Sequence, residues 1–178
     1  MTTIQLVRGD ITTMLVDAIV NAANRDLRQG SGVCGAIFAA AGARKLQEAC
    51  DRAINETFAD KGYCPTGEAV ATPSFDLAER GIKYVIHAVG PIWGRGEEAQ
   101  TEQLLASAYR SALQVAEDLG LESIAFPSIS TGVYAFPLTR ASEIAVETVK
   151  AYKGPVSKIV LVAFNDKAAQ AIASALAG

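Results

Sequence analysis

Short apolar runs with β-strand character alternate with amphipathic helical segments along the whole of this 178-residue chain, and that alternation constrains its fold more than any single motif does. Ile4, Gln5, Leu6 and Val7 alternate at period two; residues 18–20 form a short buried-strand run and residues 68–72 a third. Residues 83–89, 123–126 and 158–164 are stronger, and the last two are nearly continuous in apolar side chains, as strands covered on both faces are. Between them, Leu104, Leu105, Ala108, Ala112, Val115 and Leu119 repeat at three and four residues, with Gly120 where a helix C′ residue belongs. Ala168, Ala171, Ile172, Ala175 and Leu176 repeat likewise near the C-terminus. Pro137 ahead of residues 138–144 predicts a helix with proline in its first turn. Ala36, Ile37, Ala40 and Ala41 predict another from about residue 35 to residue 48, broken near Gly42. Strands separated by helices predict an α/β fold, a three-layer α/β/α sandwich. At roughly 100 to 200 residues per domain, residues 1–178 form one domain.

Composition narrows the function. Sixteen basic against nineteen acidic side chains leave a net charge of -3, so no basic field is present to hold duplex DNA, and a nucleic-acid partner is not expected. His87 is the one histidine and Cys34, Cys50 and Cys64 the only cysteines, which leaves no zinc-ligand spacing and little support for a serine-histidine triad. His87 lies mid-strand in an apolar run and reads as a packed structural histidine; Cys50 and Cys64 read as packing and loop residues. An odd cysteine count without regular spacing fits a reducing compartment. Arg8 and Asp10 precede any apolar stretch of signal-peptide length, and no run of about eighteen apolar residues occurs, so a cytoplasmic protein without a membrane span is expected.

Two junctions between strand and helix combine glycine with small or hydroxylated residues. The first is Asn21-Ala22-Ala23-Asn24 followed by Gly30-Ser31-Gly32-Val33-Cys34-Gly35 and an alanine-rich helix. Glycine turns backbone N–H groups inward and admits a phosphate closely, and a helix N-terminus adds partial positive charge. The second runs from Pro127 through Ser128, Ile129, Ser130, Thr131 and Gly132 to Pro137. Two such loops at one sheet edge clamp a diphosphate. Residues 30–35 match GxGxxG, but they follow Asn21 by nine residues and no acidic residue ends a strand about twenty residues on, so a dinucleotide-binding Rossmann unit is a poor fit. No Gly-Lys-Ser/Thr occurs, which excludes a Walker A loop.

Taken in order, Gly9-Asp10-Ile11-Thr12, residues 17–24, the loop at 30–35, His87-Ala88-Val89-Gly90-Pro91 and residues 126–134 cover essentially the whole chain. Together they resemble the macro domain family, most closely its MacroD-type class of bacterial O-acetyl-ADP-ribose deacetylases and mono-ADP-ribosyl hydrolases. The resemblance implies a mixed, mostly parallel central sheet between helices, with ADP-ribose in a cleft at the strand ends and no cofactor or metal. It gives Asp10 the adenine amino group, the N–H of Ile11 the ring, and Phe164, ahead of Asn165, a stacking role. The diphosphate falls to backbone N–H groups of Ser31, Gly32 and Val33 on one side and of Ser130, Thr131, Gly132, Val133 and Tyr134 on the other. Asn24 matches the asparagine that holds the distal ribose, and Phe136 is placed to pack on that sugar. The implied partners are ADP-ribose, ADP-ribosylated proteins and O-acetyl-ADP-ribose.

Four residues depart from the pattern. Cys34 stands where these hydrolases usually carry an aspartate that orients water near the distal ribose, and Phe38 stands where they carry histidine. Ser31 and Ala135 replace glycines, and the second stiffens its loop. A positioned general base is worth roughly 10²- to 10⁴-fold, so its loss slows hydrolysis without necessarily abolishing it. Asn24 and a bound water remain the candidate catalytic set. A Cys34 nucleophile would need a thiolate, which a neighbouring diphosphate opposes. The competing expectation is a reader that binds ADP-ribose without turning it over.

Overall fold

The computed structural model describes residues 1–178. Six strands form one sheet: β1 (Thr3–Arg8), β2 (Ala18–Ala23), β3 (Ala69–Pro73), β4 (Tyr84–Val89), β5 (Ser123–Phe126) and β6 (Lys158–Ala163). Their spatial order is β1-β6-β5-β2-β4-β3, with β3 antiparallel to β4 and every other pairing parallel. Five α-helices accompany them: α1 (Gly32–Ala41), α2 (Ala43–Thr57), α3 (Glu98–Asp118), α4 (Leu138–Ala151) and, after the last strand, α5 (Asp166–Ala177). The sheet is thus mixed and mostly parallel, and each apolar run expected to be a strand is one.

The layers follow from period-two geometry. On β6, Ile159, Leu161 and Ala163 pack with α3, α4 and α5, whereas Val160 and Val162 face α1 and α2. Central strands therefore need apolar residues at every position, which is why 158–164 reads as a continuous run. Gly42, at φ +100, separates α1 from α2, a conformation that favours glycine and turns the chain between two helices. Gly120, at φ +69, follows the Leu119 cap of α3 as expected.

Three helix boundaries differ from the sequence reading, the largest being the helical stretch expected to end near residue 48, which runs on through α2 to Thr57. The first helix begins at Gly32 instead of near residue 35, because Ser31 already takes the extended conformation of an N-cap. Pro137 is the N-cap of α4 and lies just outside its first turn, with ψ 126. Two 3-10 turns, at Ile11–Thr13 and Phe75–Arg80, carry no periodic signal because each is too short to show one.

His87 occupies the middle of β4 and is fully buried. Asn21 lies opposite it on β2, with the amide nitrogen 3.0 Å from Nδ1, and the Thr72 hydroxyl on β3 lies 2.9 Å from Nε2. The ring therefore ties three strands together beneath α1 and α2, where Phe38 meets it edge-on at 6.4 Å. Burial pushes its pKa down to about 3, which keeps the imidazole neutral. Because an unfolded chain takes up this proton near pH 6.5 and the folded one only near 3, stability is full above pH 6.5 and falls with decreasing pH across that interval. The expected slope approaches about 1.4 kcal/mol per pH unit. Urea unfolding at pH 8, 6 and 5 measures it, and a fold in which His87→Gln leaves that slope unchanged would assign it to another group.

Candidate functional site

Because β1, β6, β5, β2 and β4 run parallel, their C-terminal ends share one edge of the sheet, and the loops leaving them enclose an open cleft of about 900 Å³. Strand order fixes the layout. Asp10 and Phe164 follow β1 and β6 at one side, the loop after β5 crosses the middle, and the loop after β2 leads to the N-terminus of α1 beyond it. Every residue to which the resemblance gave a ligand contact lines this cleft, as does Cys34: Asp10, Ile11, Asn24, Ser31, Gly32, Val33 and Cys34 from the first half of the chain, and Ser130, Thr131, Gly132, Val133, Tyr134, Phe136, Phe164 and Asn165 from the second.

At the β1 and β6 ends, Asp10 caps the 3-10 turn: its Oδ1 accepts from the N–H and the hydroxyl of Thr12, at 2.9 and 2.8 Å. Its Oδ2 makes no protein contact of this kind, leaving one carboxylate oxygen for an exocyclic amine. Phe164 is 76% exposed, a large apolar ring held in water at the mouth of a cleft. Asn165 caps α5 by accepting from the Ala168 N–H at 2.9 Å, so its side-chain oxygen is committed to the helix.

In the loop after β2, Asn24 donates to the Arg28 carbonyl at 3.0 Å and accepts from the Arg28 N–H at 2.9 Å, which closes the turn with both ends of its amide. The Cys34 thiol accepts from the Gly30 N–H at 3.3 Å and lies 3.8 Å from the Arg28 carbonyl. It is buried and braces the loop at both points. Ser31 makes no side-chain cap, so the first-turn N–H groups of α1 are open to an acceptor in the cleft. Phe38 is not at the cleft: it is fully buried against His87, on the core face of α1.

The loop after β5 is braced from two sides. On α3 the buried Tyr109 hydroxyl donates to the Pro127 carbonyl and accepts from the Ile129 N–H, both at 3.2 Å. Trp93 donates its backbone N–H to the Tyr134 carbonyl at 2.9 Å and packs its ring on Phe136 at 4.7 Å. Phe136 is therefore mostly a wall residue, 2% exposed, with little surface left for a sugar. Val133, by contrast, is 86% exposed at the loop tip. Ala135 takes φ +60, so the residue standing in for a glycine adopts the backbone that glycine favours.

Several residues of this site carried no sequence signal. Tyr109 is one apolar position in a long amphipathic helix, Trp93 belongs to an irregular loop, and Lys167, which brings a cation to the cleft, sits in the first turn of α5. Burial raises the Cys50 and Cys64 thiols to about 12, so both stay protonated and inert. No three His, Cys, Asp or Glu side chains converge as a metal cluster. The arrangement suits an elongated anionic ligand with a flat ring at one end, held chiefly by neutral donors.

A family profile described as Macro domain matches residues 20–145. A macro domain-containing protein of Cupriavidus necator is 48% identical over 167 residues, covering 92% of this chain and 91% of that protein. A Salmonella gallinarum protein named O-acetyl-ADP-ribose deacetylase is 52% identical over 146 residues, covering 82% and 76%. Among solved structures, a variant of the Oceanobacillus iheyensis macrodomain with ADPR superposes at a TM-score of 0.91 with 38% identity, covering 99% of this chain and 92% of that one.

Replacing Tyr109 by phenylalanine leaves the buried Ile129 N–H without an acceptor. The expected cost is about 1 to 3 kcal/mol of folding stability, read by chemical denaturation. Ala135→Gly relieves the left-handed backbone and is expected to change stability by no more than about 1 kcal/mol, in the stabilising direction, as a thermal melt records.

Proposed function

The chain belongs to the macro domain family, and from that premise we propose that it binds ADP-ribose in the cleft and hydrolyses mono-ADP-ribosyl esters on proteins, deacetylates O-acetyl-ADP-ribose, or does both. A bound water is the nucleophile, and turnover is slower than in relatives with aspartate at the place of Cys34. The observation that carries this reading is the pair of N–H-rich loops facing one cleft, with Asp10 and exposed Phe164 on one side and Asn24 and Cys34 on the other.

The chain's own groups divide the work. Asp10 Oδ2 accepts from the adenine amino group, and Phe164 stacks on the base and loses exposed apolar surface in doing so. The backbone N–H groups of Ser31, Gly32 and Val33 and of Ser130 to Tyr134 hold the diphosphate, with Lys167 adding a positive charge at the rim. Asn24, locked by Arg28, sets the shape of the pocket for the distal ribose. Hydrolysis of the ester needs a water aligned on the carbonyl or the anomeric carbon and a group to accept its proton. With no carboxylate at position 34, a ligand phosphate oxygen is left to orient that water. The three free, buried cysteines support a reducing, cytoplasmic setting, and no helix is long and apolar enough to cross a membrane.

One observation favours the reader instead. The Cys34 thiol is engaged by Gly30 and Arg28 as part of the loop, a bracing role that asks for no chemistry.

Incubation with a mono-ADP-ribosylated protein and with O-acetyl-ADP-ribose separates the two. Slow release above buffer is expected; none at stoichiometric protein, with ADP-ribose still bound, makes the chain a reader, and failure to bind ADP-ribose defeats both. Cys34→Asp is expected to raise the rate by about 10²-fold or more, and an unchanged rate would show that position 34 does not limit turnover. Phe164→Ala should weaken ADP-ribose by about 1 to 3 kcal/mol in calorimetry.

A further inference from the structure

Gly90 closes β4 at the cleft edge, and its α-carbon faces the loop after β5. A Cβ placed on it would run into Ser130 Oγ and Ile129 Cγ2, so the loop approaches β4 more closely than any side chain at position 90 permits. Ser130 takes a left-handed backbone, φ +69, which costs a residue with a Cβ. Its hydroxyl is sealed from solvent without a protein partner, in a residue 5% exposed. Two unfavourable features in one residue of a cleft loop point to a conformation kept for function and over-determined by its neighbours. Those neighbours are visible: the Ser130 carbonyl accepts from the Phe136 N–H at 2.9 Å, and the Thr131 hydroxyl donates to the Ser128 carbonyl at 2.9 Å.

We propose that the Ser130 side chain, seated in the notch left by the missing Cβ of Gly90, sets how far the loop after β5 reaches over the cleft and so determines the grip on a diphosphate. Both are positioning residues. Ser130 Oγ packs against Gly90 and is sealed from solvent, so its side chain acts on the ligand through the N–H groups of residues 131–134 that follow it. The inference rests on the ADP-ribose reading of the cleft. It adds that selectivity for a diphosphate over a bare nucleoside resides in a size match between two residues whose side chains do not touch the ligand. Adenine binding depends on other strands, because Asp10 and Phe164 follow β1 and β6.

A side-chain swap across the notch tests this. Ser130→Gly empties it, Gly90→Ala crowds it, and the double variant refills it from the opposite side. Calorimetry with ADP-ribose and ADP, and an NMR titration with adenosine, are run on wild type, both singles and the double. Each single is expected to lose about tenfold in affinity for ADP-ribose and ADP while adenosine is unchanged, and the double is expected to recover the part of the Gly90→Ala loss that comes from Ser130 Oγ, with Ile129 Cγ2 still against the new methyl. Losses that multiply in the double, or that fall equally on adenosine, overturn the proposal. If Gly90→Ala does not fold, Ser130→Gly still decides through the ratio of its ADP-ribose and adenosine losses. A wild type that fails to bind ADP-ribose defeats the reading of the cleft; a wild type that binds it no better than Ser130→Gly defeats the notch alone.

Discussion

The cleft exists because parallel strands end together. A parallel pair has to be joined by a crossover, and from β2 onward the parallel strands are joined through helices that pack on a face of the sheet and return the chain to its starting edge, whereas β1 reaches β2 through the short 3-10 turn at Ile11–Thr13. All the turns that leave the parallel strands therefore gather at the opposite edge. There, strand hydrogen bonding has ended and helical bonding has not yet begun, so backbone N–H groups are left over. The hydrophobic requirement that strands such as β6 be covered on both sides and the polar requirement that these N–H groups find acceptors have one common cause.

That origin explains how an acidic chain can suit an anion. The donors are peptide groups held by their own loops, and they do not appear in any count of lysines and arginines. Their orientation depends on braces lying outside the cleft, notably the Tyr109 hydroxyl beneath the second loop and Trp93 beside it. The same logic makes position 34 informative. A thiol there keeps the loop closed through the Gly30 N–H, so the architecture of the loop does not depend on a carboxylate at that position.

The strands, the helices and both glycine loops were legible in the sequence, since periodicity and turn chemistry are local properties. The cleft residues were legible too, but only as an ordered set; Asp10 and Asn24 each make the turn and cap contacts that an isolated reading would have assigned to them. What escaped was long-range. Nothing near Tyr109 in the chain announces a loop eighteen residues away as its partner, and Phe136 looks like a ligand contact until Trp93 is seen against it. Phe38 carries the same lesson: matched by position to a site histidine, it is turned to the core by the pitch of α1. Gly90 looked like part of a motif, and its meaning depends on a side chain forty residues later.

The burial of His87 has a consequence for the cleft. An imidazole is the side chain that ordinarily lets a protein register small changes in acidity near neutrality, and this chain's only one is sealed between β2 and β3 in its uncharged form. The cleft is thereby left without a proton gauge. The peptide N–H groups that crowd its two loops do not titrate across the acidities a cell experiences. Acid acts through His87 only by undoing the sheet that carries it.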